Sequence, residues 1–172
     1  MIVLHPTFHT SFVAFLKHFN ETFDYFECHE VLEDYWKEFS PRHKNHALTA
    51  FILLATSMYH WRRGNLTGAT KTMKTSIKRM ELTKDSPFFN DLNYQRLIEN
   101  MNVALQLITS SQKFQAFSIE ITNPALQSRV KELQLETNES LHFLIHKHML
   151  RDRSEILEER NREKKKRDDL LN

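Results

Sequence analysis

Tyr25 to Phe39 reads YFECHEVLEDYWKEF and sets one imidazole, His29, a helical turn away from one carboxylate, Glu33. At about 100° per residue on a helix, Tyr25, Cys28, Leu32, Tyr35, Trp36 and Phe39 gather on one broad apolar face. Glu27, Glu30 and Asp34 turn toward water. His29 and Glu33 fall on the border, with Tyr25 and Trp36 on one flank and Phe26 on the other. Polar groups buried there without partners would be costly, so each is expected to find one, and each is nearest the other. A second polar group closes a later helix: Tyr59, His60, Trp61, Arg62 and Arg63. If the two helices run antiparallel across the loop at Pro41, His60 comes level with the His29–Glu33 turn.

The expected polar pocket therefore comprises Tyr25, His29, Glu33, Trp36, Tyr59, His60 and Arg63. Three readings stand side by side. The first is a satisfied hydrogen-bond and ion-pair network that fixes helix register. The second is a binding module for a small anion or a protein partner, with Arg63 gripping a carboxylate or phosphate in bidentate fashion. The third is a divalent metal site, with His29 and Glu33 as ligands and His60 or Glu30 as the third, leaving a position for activated water. The chain has no His-Glu-x-x-His run and no Glu-x-x-His pair of the di-metal bundle kind. His5 with His9 and His142 with His146, each pair four apart and without a carboxylate, read as helix surface. Cys28 reads as a small buried hydrophobe.

These side chains need helices to hold them, and the rest of the sequence supplies helices. The chain has 172 residues, of which two are Gly and four are Pro, a scarcity that disfavours turn-rich β architectures. Thirteen phenylalanines offer a large core. Apolar residues recur at helical spacing over the segments beginning near Pro6, Glu21, His46, Asn65, Pro87 and Asn123. The segment HALTAFILLATSMYHWRRG is apolar on most of its circumference and reads as the central helix, stopping at Gly64. Asn65 follows at once as an N-cap, which forces the next helix back as a hairpin. FQAFSIEIT alternates instead, as an extended arm lying on the helices. The expected fold is all-α: a single compact bundle of about six to seven helices with helical hairpins, over 1–150, and a charged helical extension over 151–172. KKKR at 164–167 sits among enough acids that the local charge nearly cancels, so nucleic acid is not an expected partner.

Net charge is +2 and there is one Cys. Neither a strongly anionic partner nor a disulfide framework is called for, and a cytoplasmic setting is expected. The N-terminus lacks the features of a signal peptide, and no apolar run is long enough for a membrane span.

YFECHEVLEDYW followed by YHWRRGNLTGATK resembles the paired signature of the DUF309 family, a domain of unknown function. The resemblance is close over Phe19–Trp36 and Tyr59–Ala69, inside a signature region of 19–80. It implies a small all-helical protein and marks His29, Glu33 and Trp36 in the first signature. In the second it marks His60, Arg63, Gly64 and Asn65. Relatives usually carry two glutamines in the central helix where this chain has Thr49 and Leu53. Some bear the label of metal-dependent hydrolase, which implies a His29/Glu33/His60 site.

Overall fold

A computed structural model describes residues 4–39, 43–135, 144–146, 162 and 164–170. The chain divides into two compact units, Met1–Asn138 and Glu139–Asn172. The first holds six α-helices among the described residues: α1 (Thr10–Lys17), α2 (Tyr25–Lys37), α3 (Ala47–Arg62), α4 (Leu66–Leu82), α5 (Tyr94–Thr109) and α6 (Pro124–Glu132). Short 3-10 turns, Pro6–Phe8 and Pro87–Phe89, precede α1 and α5. The all-α expectation holds. In the second unit, 144–146 and 164–170 are helical, and the side chains of 164–170 lie in solvent. Of the histidines expected on helix surface, His142 lies outside the described residues. No helix among the described residues is long and apolar enough to cross a membrane.

α3 is the axis. Eleven of its sixteen residues are buried, so no side of it is a polar face, and it packs against α2 on one flank and α4 on the other. The bend after α3 follows from Gly64, whose φ of +85° is the left-handed conformation that costs an L side chain most. Gly64 N donates to Trp61 O at 3.0 Å and Asn65 N to His60 O at 2.9 Å, which closes the helix end in a Schellman arrangement. Asn65 Oδ1 then accepts from Gly68 N at 3.1 Å and starts α4. Two buried hydroxyls tie the hairpin across its length: Ser57 Oγ donates to Ala69 O and Ser76 Oγ to Ala50 O, both at 2.7 Å.

The second helix starts later than its apolar spacing suggests. His18–Thr22 forms a π-turn, Phe23 takes a left-handed φ of 56°, and α2 begins at Tyr25 with Asp24 as cap, accepting from Glu27 N at 3.1 Å. An Asp side chain that can bond the backbone ahead of it competes with helix continuation, and here it wins. The π-turn also answers what the extended arm pairs with. Asn20 sits in it and acts as a one-residue strand: Ile119 N donates to Asn20 Oδ1 at 2.8 Å and Asn20 Nδ2 donates to Ile119 O at 2.9 Å. Ile119 is thereby buried, and Phe114 and Phe117 pack on the core beside it. A single antiparallel bridge, Leu92 to Ile121, anchors the far end of the arm.

Ser57→Ala and Ser76→Ala should each cost about 1 kcal/mol, the net worth of a satisfied hydrogen bond. Urea unfolding of the purified protein measures it; midpoints unchanged in both would remove the hydroxyls from the hairpin's stability.

Candidate functional site

By the contacts they make, six of the seven expected pocket residues fall into three groups, and Trp36 stands apart at the end of α2 that leads to α3. On the outer ridge of α2, His29 Nε2 lies 3.5 Å from Glu33 Oε2 and His29 Nδ1 lies 3.3 Å from Glu30 Oε1. Lys37 Nζ adds a contact to Glu33 Oε1 at 3.1 Å. The His29 and Glu33 side chains are 33% and 35% exposed, so water shares their charge and the pairing is weak. Each ring nitrogen faces a different carboxylate. The ligand-capable atoms of His29, Glu30 and Glu33 all lie within 4.8 Å of one another.

Of the two candidates for a third ligand, Glu30 is among the donors that lie together and His60 is not. The Nδ1 of His60 is turned toward the bend and lies 3.3 Å from Asn65 Nδ2. With Tyr59 and Arg63 it forms the second group, at the end of α3. Tyr59 is buried, its ring 6.3 Å from Phe26 and 6.1 Å from His60, and the Arg63 guanidinium stands 5.4 Å from its centroid. Arg63 Nη1 is buried and has no hydrogen-bond partner. Native structures seldom leave a buried charged donor in that state.

The third group is the core itself. Tyr25 is fully buried rather than lining a pocket; its hydroxyl has no partner, and burial raises its pKa. Its ring lies beneath Arg62, whose guanidinium is 4.8 Å from that centroid and 5.8 Å from Phe114. Arg62 Nη1 donates to Phe23 O at 2.7 Å and so clamps the left-handed residue between the π-turn and α2. Burial lowers the pKa of Arg62, opposed by nearby Tyr25 and Asp24. Trp36 lies toward the opposite end of α2, where its Nε1 donates to His43 O at 3.2 Å and holds the connection to α3. Cys28 is buried among apolar residues, and that burial raises its thiol pKa well above the ordinary value. Burial and a raised pKa are the reverse of the exposed, thiolate-favouring setting of a reactive cysteine.

The sequence turned Glu30 toward water while keeping it as an alternative third ligand to His60, and its long carboxylate bends back to the His29 ring. The clamp role of Arg62 carried no sequence signal, since it depends on a left-handed Phe23 that the spacing does not foretell.

A chain with this hairpin and these two clusters can be set against known proteins. The family model described as "Domain of unknown function (DUF309)" matches residues 12–72. An uncharacterized protein, YpuF of Bacillus subtilis (strain 168), is 34% identical over 165 residues, covering 91% of this chain and 95% of that protein. The chain belongs to the DUF309 family. The DUF309 match covers α2, α3 and the first turns of α4, so all three groups of side chains lie within it. No solved structure matches the chain.

The two adjacent arginines are expected to behave differently. Arg62→Ala should lower unfolding stability by about 1.5–3 kcal/mol, the range for a hydrogen bond from a charged donor, whereas Arg63→Gln, which removes the buried unpaired donor, should leave stability level or raise it. Denaturant midpoints of the two variants compare them directly, and equal losses would contradict the division.

Proposed function

We propose that this DUF309 protein is a binding module for a small anion, a carboxylate or phosphate, gripped by Arg63 at the end of α3. One observation carries the reading: the buried, unpartnered Nη1 of Arg63. Leaving a charged donor unsatisfied costs more than a typical hydrogen bond returns, and an anionic ligand would remove that cost. The neighbouring Arg62 differs at the same atom: its Nε is likewise buried outside a hydrogen bond, but its Nη1 is held by Phe23 O and its guanidinium lies on two aromatic rings. Tyr59 stacks near Arg63 and limits its orientations, and His60 with Asn65 borders the same bend. A rigid helix end lowers the cost of ordering the guanidinium when the ligand arrives. In this reading Tyr25 and Trp36 support the scaffold and touch no ligand.

Inorganic phosphate tests it. Melting temperature should rise with phosphate at constant ionic strength, by mass action on the folded state, and the rise should vanish in Arg63→Gln. The same rise with chloride, or in the variant, would leave Arg63 without a ligand role.

The proximity of His29, Glu30 and Glu33 favours a second reading, a divalent cation on the α2 ridge. The donor set, one imidazole and two carboxylates, suits zinc or a similar ion, provided His29 offers one nitrogen and Lys37 gives up Glu33. Whether such an ion would activate water, as the hydrolase label of some relatives implies, depends on an open coordination position. Zinc titration followed by calorimetry should give one site in the native chain and none in Glu30→Gln; equal heats in both would exclude the ridge.

A further inference from the structure

Three elements at one end of the first unit begin with a histidine instead of the usual Ser, Thr, Asp or Asn. Thr7 N donates to His5 Nδ1 at 3.4 Å, Ser11 N to His9 Nδ1 at 3.1 Å and Leu48 N to His46 Nδ1 at 3.0 Å. Accepting from a backbone N–H requires a bare Nδ1 lone pair, hence a neutral ring. A second proton removes the acceptor and sets a positive ring against the positive end of a helix. The three differ in what else they face. His5 Nδ1 is 3.2 Å from Asp91 Oδ2, and His9 Nε2 is 3.2 Å from Glu38 Oε2, so a carboxylate stands ready to offset the added charge. Among the described residues, His46 has no such carboxylate in ion-pair range.

We propose that His46 is an acid-sensitive pin, holding the start of α3 and its connection to α2 against the aromatic end of the bundle and releasing both when its ring takes a second proton. The surroundings of the ring favour that behaviour from each side. From the end of α2 comes Phe39, centroid to centroid at 4.7 Å, and from the 3-10 turn before α5 comes Phe88 at 5.7 Å. Neither can solvate a charge. From the connection comes His43, of like charge when protonated, whose carbonyl is held by Trp36 Nε1. Thr49 Oγ1 donates back to His46 O at 2.7 Å, fixing the backbone that presents the ring. Burial, and then His43, lower the His46 pKa from its ordinary 6.5.

The sign follows from linkage. In the folded chain the ring gives up its proton at lower pH than in the unfolded chain, so the unfolded chain binds more protons between the two values. The pin's contribution is therefore complete above about pH 6.5 and is lost as pH falls through the folded value. What acid would uncover is the aromatic surface of Phe39 and Phe88, now covered by the ring.

The test is amide exchange at Leu48, expressed as a protection factor so that intrinsic pH effects cancel, with the His46 ring followed by nitrogen NMR. Between about pH 7.5 and about pH 5, Leu48 protection should fall roughly fivefold, the factor expected for a lost cap, with the fall tracking His46 titration. His46→Asn keeps an acceptor that does not titrate, so its protection should stay level. Unchanged Leu48 protection in the native chain while His46 titrates would overturn the proposal, and so would an equal acid step in His46→Asn. The native measurement decides even if the variant folds poorly.

Discussion

Burial of α3 along nearly its whole length is the constraint on which the rest of the molecule depends. A helix with no polar face must be covered on every side, and α2 and α4 cover it on two. Cores packed at crystal-like density have discrete arrangements rather than a continuum. The end of α3 is therefore fixed in place, and with it Tyr59, His60 and the two arginines. The Schellman closure at Gly64 and the two hydroxyl ties of Ser57 and Ser76 set the register of the hairpin that carries them.

The same rigid end makes adjacent arginines into different devices. Arg62 is spent on structure: it holds the carbonyl of a left-handed Phe23, and so decides where the π-turn stops and α2 begins. Asn20, in that turn, holds the arm at Ile119 through two hydrogen bonds. Helix junction and arm are thus braced by side chains acting where backbone ladders are lacking. Both arginines keep one buried nitrogen outside a hydrogen bond, Nε in Arg62 and Nη1 in Arg63, but only the outer Nη1 of Arg62 is held by a carbonyl. The proposed anion site at Arg63 follows from that difference at Nη1.

Much of this was legible in the sequence, for reasons that can be stated. The largely apolar circumference of Ala47–Arg62, the Gly64–Asn65 bend and the Asn123–Pro124 start each carry a local signal, and each sits where that signal places it. The His29–Glu33 pair was legible because one-turn spacing puts both on one side of a helix. What escaped depends on relations between distant segments. A wheel drawn for α2 gives the angle of His29 but not its height beside α3, so the joining of His60 to it did not follow. Tyr25 lay on the apolar face and was assigned to a pocket, yet full burial makes it core. The histidine caps carried no recognisable signature, since imidazole is a rare cap and its role depends on which nitrogen faces the helix.

The central claim is that Arg63, unlike Arg62, is available to an anion, and side-chain NMR reads it most directly. In a phosphate titration at constant ionic strength, the guanidinium resonance of Arg63 should move and saturate while that of Arg62 stays put. If both remain still, or both drift together without saturating, the end of α3 is scaffold only.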